Sequence, residues 1–246
     1  MQILWLDSRS EFTGEALVGA LADLGVSPST FEWELSGIEL GDHHLHFDRE
    51  ETEDIRVVHF GVHGGILHVD HGHSSEHDHD HTPANRISYP QLRTQIEAAR
   101  IPDFVKSDSL GILHRIAGAQ AELVETPLEQ IEFPETDALE WLVTAVLSCI
   151  GLNQLQVRQI YFQQTGQLQP AEGQPTQVAL SRAILSEASI NEQIAATPLG
   201  AAILAEFGVI LAAPPELKSV KTGYGLGPET DQEKASFIRA RLGEIA

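Results

Sequence analysis

Cysteine, basic residues and long apolar runs are scarce in this sequence, and each scarcity excludes a class of protein. The single cysteine, Cys149, has no partner for a disulfide within the chain, and its neighbours Val146 and Leu147 indicate a small buried hydrophobe. The longest apolar stretch, residues 138–152, contains Glu140 and is shorter than the roughly 20 residues that cross a bilayer. No basic start followed by an apolar run marks a signal peptide. We therefore expect a soluble cytoplasmic protein that does not bind a membrane.

The shortage of basic residues excludes a second class. Lys and Arg total 15 against 36 Asp and Glu, which gives a formal net charge of −21. Proteins that bind nucleic acids need basic patches that displace counterions from phosphates, so a nucleic-acid partner is not expected. A negative field of this size concentrates cations, although the same acidity also keeps a protein soluble.

The periodicity of apolar residues predicts alternating strands and helices. A strand at Ile3–Asp7 leads through a Ser8–Glu11 capping box into a helix that ends at Gly25. Period-two alternation predicts two or three strands within residues 31–63, with turns near Gly41 and Glu51. Further helices are predicted at 88–100, 103–125, 138–151, 176–186 and 198–207, and further strands at 155–162, 209–212 and 217–222. The fold class is therefore α/β or α+β, a mixed sheet with flanking helices. Residues 1–64 and 86–246 form its body, as one unit or as two subdomains divided near residue 86.

Histidine is concentrated in one region of the chain. Eleven of the 12 histidines lie between His43 and His81, and residues 65–85 break the strand pattern and read as a mobile or disordered loop. Imidazole suits nickel, copper and zinc, and nearby carboxylates can orient each ring. The alternative is a solvated tract that binds divalent metals weakly. The candidate metal ligands in this loop are His68, His71, His73, His77, His79 and His81.

Four short motifs, taken in order with the His-rich loop, resemble the LarC family of nickel-insertion proteins, which mature the pincer cofactor of lactate racemase. They are Leu6-Asp7, residues 19–26 (GALADLGV), residues 197–202 (TPLGAA) and residues 223–227 (GYGLG). The resemblance covers nearly the whole chain. It implies that nickel is inserted into a pyridinium-3,5-bisthiocarboxylic acid mononucleotide precursor, in a reaction class of chelation (a lyase).

The resemblance also implies site residues. Asp7, Glu15, Glu135 and Glu140 are candidate metal-binding groups, and Thr197, Gly200, Tyr224 and Gly225 are candidate contacts to the precursor. Simpler roles stay open: helix capping for Asp7 and Thr197, and favourable placement beside a helix dipole for Glu135 and Glu140. The chain also departs from the family pattern. The family motif His-x-His-Glu falls on Glu132-Phe133-Pro134-Glu135, so both of its histidines are replaced.

Members of the family are usually longer, with a C-terminal domain linked to CTP. The resemblance therefore implies that nickel chelatase activity needs a separate C-terminal domain linked to CTP. The expected protein partner is a separate C-terminal LarC-like chain or a second copy of this chain. The first alternative is a metal buffer or partner subunit that has lost the insertion chemistry. A metal-dependent hydrolase is the second alternative.

Overall fold

The computed structural model describes residues 2–8, 11–41, 43–52, 55–64, 85–164, 175–213, 215–227 and 237–245. Its centre is a seven-stranded mixed sheet of order β2-β3-β8-β9-β1-β6-β7, so the predicted fold class is confirmed. The large strands are β1 (Gln2–Ser8), β2 (His43–Thr52), β3 (Ile55–Gly64), β6 (Ile160–Gln164), β7 (Gly208–Ile210), β8 (Leu217–Leu226) and β9 (Phe237–Ile245). A separate two-stranded ribbon joins β4 (Arg86–Ser88) to β5 (Glu132–Pro134).

Seven α-helices occur in the described residues, and local sequence explains where several of them begin. They are α1 (Gly14–Asp23), α2 (Pro28–Leu35), α3 (Tyr89–Ala98), α4 (Asp103–Leu123), α5 (Glu135–Gln154), α6 (Pro175–Glu187) and α7 (Pro198–Phe207). The Thr13 hydroxyl accepts a hydrogen bond from Ala16 N at 3.0 Å and caps α1. Thr197 caps α7 in the same way, with Pro198 at the first helical position. No helix in these ranges is long and apolar enough to cross a membrane.

The helices pack on one face of the sheet. Leu4 and Leu6 of β1 belong to the same apolar cluster as α1, α5 and α7, whereas the alternate residues Ile3, Trp5 and Asp7 point to the opposite face. Helix α1 lies very close to the sheet. A Cβ added at Gly225 would lie 1.8 Å from Ala16 O, so only glycine permits this approach.

Several elements differ from the sequence expectation. Helix α2 lies where a strand was expected, because Ser27 and Pro28 provide a helix start that the alternation concealed. The predicted capping box of Ser8 and Glu11 is wrong, since Thr13 caps α1. The short strands β4 and β5 and the final strand β9 were not predicted.

Candidate functional site

The topology collects the ends of five strands at one edge of the sheet. β1 runs parallel to β6, β6 to β7, and β3 to β8, while β9 is antiparallel to both β1 and β8. Strands β1, β3, β6, β7 and β8 therefore end at the same edge, and α1 and α7 begin near it. In α/β proteins, functional groups concentrate at this carboxyl edge.

Two carboxyl groups from distant parts of the sequence meet beside this edge. Glu15 lies in the first turn of α1 and is 6% exposed, and its side chain interacts with that of Glu140 on α5. Desolvation by the surrounding protein, followed by the charge of Glu15, raises the pKa of Glu140 to about 8. Glu140 keeps a solvent-accessible face, so an incoming ion can reach its carboxyl group.

Two further acids surround this pair. Desolvation and then the charge of Glu15 raise the pKa of Glu11, which precedes α1. Desolvation also raises the pKa of Asp137, one turn before Glu140, although the Thr136 hydroxyl donates a hydrogen bond to it at 3.4 Å. Neither Glu11 nor Asp137 was predicted from the sequence as a site residue. The i, i+3 spacing of Asp137 and Glu140 on one helix face was the available signal.

Asp7 lies on the other face of the sheet from the pair. Its carboxylate forms an ion pair with Arg239, the residue opposite it on β9. Arg241 stacks over the ring of Trp5, with the guanidinium carbon 4.7 Å from the ring centroid. The structure therefore gives Asp7 a cationic partner and does not place it beside Glu15 and Glu140.

Glu135 links helix α5 to Asn85, at the end of the His-rich segment (residues 65–85). It is the first residue of α5, and its backbone N–H donates to Asn85 O at 3.0 Å. Its Oε1 atom is buried without a hydrogen-bond partner. An unsatisfied carboxylate oxygen is costly, so this atom is a group that a bound cation could satisfy.

The residues expected to contact the precursor have packing or capping contacts. The Thr197 hydroxyl accepts from Gly200 N at 3.1 Å, and a Cβ at Gly200 would lie 2.3 Å from Phe12 O. Gly225 faces α1, whereas the Tyr224 ring packs against Phe237 on the opposite side of the sheet. Ligand contact by Thr197, Gly200, Tyr224 and Gly225 stays a prediction.

The six histidines from His68 to His81 lie outside the described residues. Within the described ranges, no group of three or more His, Cys, Asp or Glu side chains has the arrangement of a ready metal site. The Glu15–Glu140 pair thus offers two ligands, and further ligands for a metal would have to come from elsewhere. Loose, incomplete coordination of this kind suits a metal that must be released.

A cavity of about 280 Å³ lies at the other end of α5, lined by Asp108, Cys149, Arg158 and Glu206 among others. Burial raises the pKa of the Cys149 thiol to about 12. Because the thiolate is the reactive form, Cys149 is an inert core residue, as its apolar neighbours predicted.

The fold and the acid pair define a class, an α/β protein with two neighbouring carboxyl groups at the carboxyl edge of a mixed sheet. The family described as "Nickel insertion protein" matches residues 4–245, and the chain belongs to this family. The expected resemblance is therefore confirmed over almost the whole sequence.

Curated relatives carry more specific names. The chain is 28% identical over 255 residues to a pyridinium-3,5-bisthiocarboxylic acid mononucleotide nickel insertion protein of Desulfitobacterium hafniense, covering 100% of this chain and 59% of that protein. It is 29% identical over 267 residues to the protein of the same name in Lactiplantibacillus plantarum, covering 99% and 62%. The chain thus spans about three fifths of the length of these relatives. The comparison with solved structures finds no match.

Proposed function

We propose that this chain loads nickel and delivers it to pyridinium-3,5-bisthiocarboxylic acid mononucleotide, the precursor of the pincer cofactor of lactate racemase-type enzymes. The observation that carries the proposal is the meeting of Glu15 and Glu140 beside the carboxyl edge of the sheet, where burial and then the charge of Glu15 raise the pKa of Glu140 to about 8, so that this carboxyl group holds a proton at neutral pH. A divalent ion can displace that proton and bind both carboxylates. Family membership supplies nickel as the ion, and the names of the relatives supply the precursor as its acceptor.

The described residues that flank the His-rich segment (residues 65–85) support a route from its histidines to this pair. Its first residue follows Gly64, the last residue of β3, at the carboxyl edge of the sheet. Three residues lie between His81 and Asn85, and a chain of this length spans at most about 14 Å. The backbone N–H of Glu135 donates to Asn85 O, and Glu140 lies about 7.5 Å further along α5. The length of the chain therefore limits how far His81 can lie from the pair.

The chemistry of the ligands gives the transfer its direction. Carboxylate oxygen is a poorer match for nickel than imidazole or sulfur, so the pair holds the ion weakly. Two Ni–O bonds break as the precursor forms bonds to nickel through its two sulfurs and a ring carbon. The proton leaving that ring carbon returns to the vacated Glu15–Glu140 pair. A carboxyl group with a pKa of about 8 can accept it near neutral pH.

The test is nickel titration calorimetry at pH 7.5 on a chain with the six histidines from His68 to His81 changed to alanine. Buffers with different ionisation enthalpies count the protons released. We expect about one proton to leave the pair per nickel bound there. Glu15→Gln and Glu140→Gln should abolish this release and weaken binding at least tenfold. Glu132→Gln, an exposed acid near the start of the same helix, is the control. Unchanged affinity and proton release in both pair variants would contradict the proposal.

A second candidate is a metal buffer or a partner subunit without insertion chemistry of its own. It is favoured by the loss of both motif histidines at Glu132 and Pro134. In this case a separate C-terminal chain would carry out the step that is linked to CTP. Adding the precursor to the nickel-loaded chain separates the two functions. Nickel transfer, followed by the absorbance of the product, supports insertion, whereas retained nickel supports a buffer.

A further inference from the structure

A second group of histidines lies on the β2–β3 hairpin, outside the His-rich segment and away from the acid pair. The two strands pair in register, with His44 opposite His63, His46 opposite Gly61 and Asp48 opposite His59. Because side chains alternate along a strand, all of these residues share one face. The other face carries Leu45, Phe47, Val58 and Phe60, which pack into the core.

The rings on this face touch one another. The His46 and His63 rings stack with centroids 4.6 Å apart, and His59 meets His46 edge-on at 5.3 Å. His46 Nδ1 is buried and has no hydrogen-bond partner. Three imidazoles and an orphaned nitrogen are a costly arrangement for a purely structural surface.

The surroundings keep the cluster in this arrangement. A Cβ at Gly61 would lie 2.1 Å from His46 Cε1, so the missing side chain leaves the space that the His46 ring fills. Glu50 Oε1 lies 3.4 Å from His59 Nδ1. A carboxylate at that nitrogen favours a proton there and leaves Nε2 free to act as a ligand.

We propose that His46, His59 and His63 form a binding site for a divalent transition-metal ion such as Ni²⁺, with Asp48 or His44 beside them. The stacked rings do not yet converge on one point, so binding requires rotation of the exposed His63 ring and the half-buried His59 ring. Imidazole ligands and the net charge of −21 both favour such an ion. The site is independent of Glu15 and Glu140, which lie on the helix side of the sheet.

The test uses the full chain with the six histidines from His68 to His81 changed to alanine, which leaves six of the 12 histidines. Ni²⁺ is added while the imidazole resonances are followed by NMR. We expect substoichiometric Ni²⁺ to broaden the rings of His46, His59 and His63 first. His114, which hydrogen-bonds Tyr89 at 3.1 Å, serves as the internal reference.

Calorimetry on the same chain gives the affinity of this site. His63→Ala, at an exposed position, should weaken it at least tenfold, and Gly61→Val should do the same by displacing the His46 ring. His43→Ala, on the opposite face of β2, should leave the affinity unchanged. The proposal is overturned if His114 broadens together with His46, or if the folded His63→Ala and Gly61→Val variants bind Ni²⁺ as well as their parent. If Glu140→Gln loses the proton release while Ni²⁺ still broadens the resonances of the hairpin histidines, the two sites bind the ion independently.

Discussion

At the scale of single residues, the raised pKa of Glu140 predicts that metal binding at the proposed Glu15–Glu140 site depends on pH. One carboxyl comes from the first turn of α1 and the other from the second turn of α5. A negative charge near a helix N-terminus is stabilised, yet two charges at this distance repel each other. The raised pKa of Glu140 relieves this repulsion by keeping the carboxyl group protonated, and in the proposed function a divalent ion would take the place of that proton.

The raised pKa of Glu140 predicts how the stability of the folded protein depends on pH. The folded pKa of Glu140, about 8, lies above its ordinary value of 4.5, so its contribution is fully present below pH 4.5 and is lost as pH rises through 8. Glu140→Gln removes this loss. We expect the variant to match the parent near pH 4.5 and to be more stable at pH 8.5 by about 1 kcal/mol, after discounting for the accessible face of Glu140. Thermal melts at the two pH values measure this, with Glu132→Gln as control. If the parent is as stable as Glu140→Gln at pH 8.5, the raised pKa of Glu140 is contradicted.

The Cys149 thiol yields a second prediction at this scale. With a pKa of about 12 and 3% exposure, it should not react with a disulfide reagent in the folded protein at pH 8. Reaction should follow global unfolding, so its rate should rise steeply with added urea. Fast labelling in buffer alone, at a rate insensitive to urea, would show that the α5 end of the cavity opens in the native state.

At the scale of elements, the contact between α1 and β8 positions Glu15. Gly225→Ala would drive a Cβ into Ala16 O, so we expect a loss of about 3 kcal/mol in unfolding free energy. Gly118→Ala is the matched control, because a Cβ at that α4 position meets nothing within 4 Å. The control should gain up to about 1 kcal/mol from helix propensity. Urea denaturation of both variants measures these changes, and equal effects would show that α1 is not held by this close approach.

The same elements show what a sequence can predict. Helix α7 was predicted with its observed bounds because Thr197-Pro198 and the apolar run both mark it. Helix α2 was missed because a long region of alternation masked its short cap. Strand β9 was missed although Ile238, Ala240 and Leu242 alternate with arginines, a clear period-two signal.

The site was less predictable than the fold. Family motifs pointed to Glu15 and Glu140, but 125 positions separate them, and nothing in local spacing reveals that their side chains interact. Asp7 belonged to the same expected group, yet the antiparallel register with β9 places Arg239 beside it. The partner of a side chain at a strand end depends on strand order, which periodicity does not encode. The hairpin histidines were visible in the sequence, whereas the stacking around Gly61 was not.

At the scale of the whole molecule, the excess of acidic residues should attract a nickel ion before any ligand binds it. A net charge of −21 should accelerate the encounter with a divalent cation, and salt should screen this effect. Raising ionic strength from about 0.01 M to about 1 M shortens the Debye length from about 30 Å to about 3 Å. We therefore expect the association rate of Ni²⁺, measured by stopped flow at constant pH, to fall by at least tenfold. Changing the six histidines from His68 to His81 to alanine leaves the formal charge unaltered. That variant should bind fewer ions with the same salt dependence. If its salt dependence disappears, the attraction belongs to the His-rich segment and its neighbouring acids rather than to the field of the whole protein.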